Sequence, residues 1–300
     1  MNEEWVAEVR VGLVEMGGED ALDLLNRLST NELTDLPPGG LRDTLLTTNQ
    51  GRLIDWLRVG HEESLWLVCS EGRAAKAASW LETYTIMEDS SAKVITESAR
   101  LDRWVGKRAA EFATEQAPNG FSQKSWGIVM SSPRVFTGGV DLVRLDDRGP
   151  FPVDLDGVNS LSADQYEMKR IEAGLPSPNF EFSTEINPLE LRLGPTAISF
   201  SKGCYIGQEV ISRMDSYDKV ARALMGWRAS KNFSFDETSR IVVDGRPVGR
   251  PSSSVMTPDG QQGLAVLKRA NAVPGKAVLR AGGDDFAIEL VDCPFWQKSE

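Results

Sequence analysis

The sequence predicts an α+β protein in which a region of mixed helices and strands is followed by an all-β domain. Apolar residues follow helical and strand spacing in irregular alternation through about residue 216. After Tyr217 the pattern changes to short strand-like runs separated by glycine-rich turns. With 300 residues, 41% of them hydrophobic and 26% charged, the chain is long enough for two or three globular domains.

The first clear element is a helix over residues 19–28. Apolar residues recur at positions 21, 24, 25 and 28, which is helical spacing. Glu19 and Asp20 make the first turn acidic, as the helix dipole favours. Two prolines and two glycines at 37–40 then interrupt the chain before a new element.

Two strands are predicted next, over residues 52–59 and 65–69. In the first, one face is formed by every second residue from Leu53, and the other by Ile54, Trp56 and Arg58. A polar loop that holds His61 joins the strands as a hairpin, and we expect this histidine to be exposed. Ser70 is expected to cap a following helix that carries Ala74, Ala78 and Leu81 on one face.

A third helix is predicted over residues 162–173. Ser162 and Gln165 have the spacing of a capping box, and Gly174 followed by Pro176 supplies the stop. From residue 217 onward, the short apolar runs and turns predict a small β-barrel or sandwich. We therefore expect an α/β region at 1–216 and a β domain at 217–300.

Charge and composition exclude several classes of function. The chain has 33 Lys and Arg against 44 Asp and Glu, a net charge of −11, whereas bulk electrostatic binding to nucleic acid needs the opposite sign. Its apolar runs are far shorter than the ~20 residues of a membrane helix, and its first residues are acidic, unlike a targeting peptide. No dinucleotide-binding or P-loop motif occurs. We expect a cytoplasmic protein that binds neither nucleic acid nor a membrane.

The cysteine and histidine content excludes common metal and catalytic sites. The three cysteines at 69, 204 and 293 are too far apart for a C-x-x-C pair or a local zinc knuckle. His61 is the single histidine, which excludes histidine-based triads and HExxH zinc sites. No metal site is therefore predicted, and we expect Cys69 and Cys293 to be packing residues in or beside strands.

The segment with the most chemical content is Lys202-Gly203-Cys204-Tyr205-Ile206-Gly207-Gln208-Glu209. A helix that begins at Gln208 would aim free N–H groups at Cys204, and these and the Lys202 charge would favour the thiolate. The β-branched residues that follow also permit a strand. The two glycines would let backbone approach a flat ligand, and Tyr205 offers a ring to stack on it. On these grounds alone, Cys204 is either a small buried residue or a reactive thiol.

This segment resembles the signature Lys-Gly-Cys-Tyr-x-Gly-Gln-Glu of the YgfZ family. These are folate-binding relatives of the glycine-cleavage aminomethyltransferase, and some iron–sulfur enzymes need them. The resemblance covers nearly the whole chain and is weakest from about 100 to 160. It is carried by residues 25–31, 49–52, 172–176, 188–190 and 244–249 together with Ser253.

The resemblance implies a ring of two interleaved, ferredoxin-like α/β subdomains and a C-terminal antiparallel β-barrel, around a channel that takes tetrahydrofolate. It makes Cys204 the candidate reactive thiol. Because the glutamate tail of folate is anionic, Lys202, Arg213 and, less directly, Arg192 are candidate partners for it. The other motif residues implied in folate contact are Gly203, Tyr205, Gly207, Gln208 and Glu209.

The resemblance also bears on catalysis. An aminomethyltransferase has an acidic residue that faces the folate, in a block that residues 51–57 resemble. Without gaps, the position of that acid falls on Trp56, while Asp55 lies on the opposite face of the strand. Trp56 can stack on a pterin ring but cannot exchange a proton with a folate nitrogen. Aminomethyl transfer is therefore not expected.

We expect a tetrahydrofolate-binding protein that supports assembly or repair of iron–sulfur clusters, with assembly proteins or client enzymes as partners. Cys204 would act as a transient ligand, an exchange thiol or a nucleophile, and the sequence does not choose among them. Two alternatives stay open. One is a folate-dependent one-carbon transferase or demethylase, and the other is a noncatalytic interaction module that keeps the fold and has lost the ligand.

Overall fold

A computed structural model describes residues 4–132, 136, 138–145, 153–183 and 185–293. The chain divides into two compact units. The sheet unit comprises Met1–Gln50, Ile54–Ala163 and Thr196–Gln208, and the barrel unit comprises Gly51–Leu53, Asp164–Pro195 and Glu209–Glu300. The barrel unit includes residues 164–195 and 209–216 as well as those after 217. The predicted domain boundary near residue 217 therefore stays a proposal.

Nine strands of the described residues form the sheet of the sheet unit, in the order β2-β3-β4-β1-β5-β8-β7-β6, with β9 paired to β1. Neighbours are antiparallel in the strand pairs with a known register, except that β1 and β9 are parallel. The strands are β1 Trp5–Gly17, β2 Leu41–Thr47, β3 Leu53–His61, β4 Leu65–Ser70, β5 Ser91–Val105, β6 Phe121–Lys124, β7 Gly127–Ser131, β8 Gly139–Arg144 and β9 Asn159–Ser160.

Both faces of the central strand β1 are buried. Val14 and Met16 pack with the helices α1 (Ala21–Leu28) and α2 (Ala74–Tyr84) on one face. Val11 and Leu13 pack with Trp66 and Phe121 on the other. Because successive strand residues point to opposite faces, a strand between two cores is apolar throughout. A third helix, α3 (Lys107–Gln116), buries Ala109 and Ala113 against a smaller core.

The two ends of this sheet meet through glycine. Gly40 in the turn before β2 forms a bridge to Gly120, which precedes β6. Gly39 donates to the His61 carbonyl (2.6 Å) and accepts from the Phe121 N–H (2.9 Å). The Phe121 ring lies over Gly60 of β3, where an added Cβ would fall 2.0 Å from the ring. The absence of a side chain at Gly60 is therefore what lets the ring close the core.

The barrel unit contains a closed barrel of six strands in the order β10-β13-β12-β11-β14-β15. This outcome decides between the barrel and the sandwich that the sequence left open. Trp227 is fully buried at its centre and donates to the Leu264 carbonyl (3.1 Å). The strands are β10 Arg222–Ala229, β11 Arg240–Val243, β12 Arg246–Thr257, β13 Gly260–Lys268, β14 Gly275–Ala281 and β15 Asp284–Val291.

The remaining helices are short. They are α4 Ala163–Glu172, a 3₁₀ turn Pro188–Leu191, α5 Gly194–Ala197, α6 Gln208–Ser216 and a 3₁₀ turn Arg269–Asn271. The predicted helices at 19–28 and 162–173 are confirmed as α1 and α4, and Gly174 ends α4 with a φ of +72°. Residues 208–214 are helical rather than extended. Within the described part of the chain, no helix has the length and apolar character needed to cross a membrane.

Two local predictions were wrong. His61 is the last residue of β3 rather than an exposed loop residue; it is half-buried, and its Nδ1 lies 2.7 Å from the Leu36 carbonyl oxygen. Ser70 does not cap α2, because its hydroxyl donates to the buried Asp55 carboxylate (2.5 Å) and Arg73 occupies the cap position. In both cases a tertiary contact replaces the local role.

We predict that Gly60→Ala destabilises the protein by about 2–4 kcal/mol, because the new methyl group would overlap the Phe121 ring. Gly17→Ala is the matched control, since Gly17 also lies in a strand and nothing lies within 4 Å of its added Cβ. Urea unfolding followed by circular dichroism measures both. Equal midpoints for the two variants would contradict this account of sheet closure.

Candidate functional site

The side chain of Lys202 is buried at the C-terminal end of α1. Its Nζ donates to the carbonyl oxygens of Asn26 (2.7 Å), Ser29 (3.0 Å) and Asn31 (2.5 Å) and to the Asn26 side-chain oxygen (2.9 Å). The last carbonyls of a helix have no partner within the helix, and the helix dipole is negative there. Lys202 therefore caps α1 from a distance of 176 residues along the chain.

These contacts determine the pKa of Lys202 and surround its ammonium group. Burial lowers its pKa from 10.5 to about 8, while Glu32 opposes the shift. The Tyr205 ring covers the ammonium at 5.5 Å, close enough for a cation–π contact. All three protons are engaged, so Lys202 has no proton left for the anionic ligand that the sequence suggested.

A second set of contacts holds the rest of the loop. The Ile206 N–H donates to the Arg27 carbonyl (3.3 Å), and the Ile206 carbonyl accepts from the Thr47 hydroxyl (2.8 Å). Gly207 has a φ of +86°, a conformation that other residues adopt only at a cost. The loop is thus attached to the sheet unit on both sides of Cys204.

Cys204 lies exposed between these two attachments. Its neighbour Gly203 is also exposed, and an added Cβ there would have nothing within 4 Å. Neither a positive φ nor close packing in this chain explains the glycine at 203. Cys69 and Cys293 are buried as predicted, and burial raises the pKa of Cys69 well above its usual value and that of Cys293 to about 11. Cys204 is therefore the accessible thiol of the chain.

The other polar residues of the motif lie on α6. Gln208 begins the helix, and its side-chain amide lies 3.4 Å from the Gly203 carbonyl oxygen. Glu209 and Arg213 are exposed, the first in the opening turn and the second in the last turn of the helix. Arg192, the further cationic candidate, has a left-handed backbone and donates to the Met225 sulfur (3.3 Å) within the barrel unit.

Tyr205 differs from its expected role. Only 7% of the residue is exposed, and its ring packs over Lys202 instead of offering a free face. Burial raises the pKa of its hydroxyl to about 12, and that hydroxyl has no hydrogen-bond partner among the residues that the structure describes. In this conformation Tyr205 serves the loop rather than a stacked ligand.

Asp55 and Trp56 have separate environments, as their alternation on β3 requires. Both oxygens of the Asp55 carboxylate accept from Ser70, one from its hydroxyl and one from its N–H (3.0 Å), and the residue is fully buried. Burial raises the pKa of Asp55. Trp56 is half-buried, and its buried indole N–H has no partner within the described part of the chain. The aromatic residue, not the acid, is thus the one with an unused polar atom.

The barrel unit carries a groove of about 740 Å³ that the sequence did not indicate. Phe180, with 56% of its surface exposed, and Phe235 line it, together with the exposed cations Arg250 and Lys268. Its walls come from residues 179–181, 183, 185–186, 222, 235–237, 240, 247–252, 266 and 268. No short motif joins segments so far apart in sequence. The Lys202 partners, by contrast, lie within residues 25–31, which the family resemblance had marked.

Comparisons with known proteins agree on one group of relatives. No family model matches the chain. It is 26% identical over 306 residues to a chloroplastic protein of Arabidopsis thaliana that is named as a candidate transferase (95% of this chain, 69% of the relative). It is 23% identical over 312 residues to an aminomethyltransferase of Halalkalibacterium halodurans (96% and 85%). It is 26% identical over 303 residues to the mitochondrial iron–sulfur cluster assembly factor of Mus musculus (95% and 82%).

A solved structure shares the fold. The crystal structure of the glycine-cleavage aminomethyltransferase T from Bartonella henselae matches with a TM-score of 0.75 at 17% identity, over 98% of this chain and 86% of that one. Together with the closed barrel and the antiparallel sheet, this match confirms the predicted fold class.

We predict that Lys202→Met lowers the free energy of unfolding by about 2–4 kcal/mol, because the carbonyl oxygens of Asn26, Ser29 and Asn31 lose the donor that they share. It should also speed the reaction of Cys204 with a thiol reagent, since the loop loses one attachment. Lys76→Met, an exposed lysine on α2, is the control and should change stability by less than about 0.5 kcal/mol. Urea unfolding and labelling kinetics measure both effects; unchanged stability in Lys202→Met would refute the anchoring role.

Proposed function

We propose that this chain, a relative of the aminomethyltransferases, binds tetrahydrofolate and supports the assembly or repair of iron–sulfur clusters, with Cys204 as its reactive thiol. The observation that carries the proposal is an exposed cysteine in a loop that is anchored on both sides by buried contacts. We propose the cytoplasm as the compartment, because reducing conditions keep such a thiol free.

The thiol inventory supports a shared cluster as the substrate. Iron–sulfur clusters are commonly held by four cysteine thiolates. Cys69 and Cys293 are buried, and burial raises the pKa of both thiols, so the accessible cysteine that this chain can offer is Cys204. Among the described residues, no three His, Cys, Asp or Glu side chains lie together as metal ligands. The remaining ligands would come from a partner, and Cys204 would act as a transient ligand in an exchange of thiolates.

The residues of the sheet unit fit a folate in part. The indole N–H of Trp56 is buried without a partner among the described residues, so it is free to donate to a pterin carbonyl or ring nitrogen that displaces its cover, and its ring is large enough to stack on a pterin. Gly203 leaves backbone open to a ligand or partner. Lys202 and Tyr205 do not fit, because Lys202 is engaged with the end of α1 and the Tyr205 ring covers its ammonium.

The side chains of β3 support folate binding without aminomethyl transfer. A bound tetrahydrofolate supplies nitrogen atoms that carry one-carbon groups, and transfer in the related enzymes needs an acid beside them. The indole N–H of Trp56 does not ionise near neutral pH. Both oxygens of the Asp55 carboxylate already accept hydrogen bonds from Ser70. The transferase alternative therefore has less support than the assembly role.

The assembly role predicts that cells that carry Cys204→Ala lose iron–sulfur enzyme activity under oxidative stress, to the level of a strain that lacks the gene. The loss follows because no other exposed thiol replaces the ligand. Aconitase activity in extracts is the measurement, and Ser201→Ala, at an exposed position of the same loop, is the control that should keep wild-type activity. Full activity in Cys204→Ala would remove the thiol from the proposal.

For the folate, calorimetric titration of tetrahydrofolate into the purified protein should give saturable binding. Trp56→Phe should raise the dissociation constant roughly fivefold, which corresponds to about 1 kcal/mol for one lost hydrogen bond. Trp80→Phe is the matched control, since the Trp80 indole N–H is also buried without a partner.

Three other results of this titration are informative. No saturable heat in the wild type would favour the noncatalytic module. An unchanged constant in Trp56→Phe would exclude Trp56 as a contact. Weaker binding in Arg250→Gln/Lys268→Gln instead would place the ligand in the groove of the barrel unit.

A further inference from the structure

Two aliphatic side chains stand out on the surface of the sheet unit. Ile86 is 85% exposed and Met87 is 93% exposed, the highest values among the large hydrophobic residues of the described chain. They are adjacent, in the loop of residues 85–90 between α2 and β5. Scattered single apolar residues on a surface are ordinary, whereas a neighbouring pair with almost complete exposure marks a site of association.

This loop is held firmly in place. The Glu88 carboxylate accepts from the N–H groups of Ile86 (3.0 Å) and Met87 (3.1 Å). Asp89 and Asp20 exchange two hydrogen bonds, from the Asp89 N–H to the Asp20 carboxylate (2.8 Å) and from the Asp20 N–H to the Asp89 carbonyl (3.0 Å). A partner that binds the aliphatic pair would therefore pay little for ordering the loop, which favours association.

Arg27 links this loop to the Cys204 loop. Its guanidinium donates to Glu88 (3.1 Å), and its backbone carbonyl accepts from Ile206, two residues after Cys204. One arginine therefore contacts both loops. A typical interface covers about 800 Å² on each partner, so a partner that docks on one loop also covers neighbouring segments.

The charges around the pair are negative. Exposed carboxylates come from the start of α1, the end of α2 and the loop itself, against two exposed cations, Arg27 and Lys93 of β5. The exposed acids are Glu19, Asp20, Asp23, Glu82 and Asp89. A second copy of this chain would bring like charges together, whereas a surface with lysine or arginine around an apolar hollow would complement them.

We propose that the Ile86–Met87 loop is the docking surface for a basic partner protein that exchanges an iron–sulfur cluster with Cys204. The inference rests on the proposed function for its cargo, and on the loop's own geometry and charge for the docking. The aliphatic pair fills an apolar hollow on the partner, the acidic rim selects its charge, and Arg27 keeps the docking loop and the thiol loop in a fixed relation.

The docking is tested by cross-linking in cells with the full-length protein, with p-benzoylphenylalanine in place of Met87. The same amino acid at Met256, 63% exposed on the barrel, is the matched control. A product with a different protein at position 87 but not at 256 is expected, and Glu19→Lys/Glu82→Lys should lower its yield roughly fivefold or more. Three outcomes would overturn the proposal. They are no cross-linked product above the control, a product between two copies of this chain, and a product whose yield is unchanged by the charge reversal.

The cargo is tested separately. Ile86→Ser/Met87→Ser should lower iron–sulfur enzyme activity to the level of the Cys204→Ala strain, while Met256→Ser/Val273→Ser should keep wild-type activity. If Ile86→Ser/Met87→Ser keeps full enzyme activity while Cys204→Ala loses it, the docking inference is overturned and the proposed function stands. Full activity in Cys204→Ala beside a charge-dependent product at position 87 would overturn the cluster role and support the docking.

Discussion

Burial of the Lys202 ammonium is the interaction on which the candidate site depends. Taking a cation out of water costs several kcal/mol unless other groups replace its hydration. Here the replacement comes from one short stretch of chain, through three carbonyl oxygens and one side-chain amide oxygen of residues 26–31. The benefit is mutual, because these oxygens include the Asn26 carbonyl, one of those that a helix end leaves without a donor. Lys202 thus ties the loop to the end of the helix.

This arrangement separates two tasks within one short segment. Lys202, Tyr205 and Gly207 hold the loop through burial, ring contact and backbone conformation. Gly203 and Cys204 have no such task and face solvent. A thiol for exchange reactions needs to be accessible, and it also needs a defined position so that a partner's thiolates can reach the same iron. Anchoring on both sides of an open dipeptide meets both requirements.

The sequence predicted those features whose causes are local. Helical spacing located α1 and α4, alternation located β3, an apolar run located β4, and short runs between turns indicated the β domain. The sequence identified the motif residues but not the contacts that they make. The residues near Lys202 give no sign that its hydrogen-bond partners lie 171–176 residues away along the chain. For the same reason Tyr205 was expected to meet a ligand, whereas its ring covers an ammonium. The groove in the barrel unit combines distant segments and gave no signal. Ser70 and His61 were misassigned because each makes a tertiary contact that outweighs the local pattern.

The bridge between Gly40 and Gly120 also bears on aggregation at high protein concentration. Unpaired strand edges recruit other chains and lead to aggregation. In the sheet unit, β2 has its outer side occupied by residues 29–30, which pair with Leu45 and Leu46, and the turn before it reaches across to the segment before β6. The barrel, being closed, has no edge at all. At these stretches of backbone, contacts with other chains are therefore left to side chains.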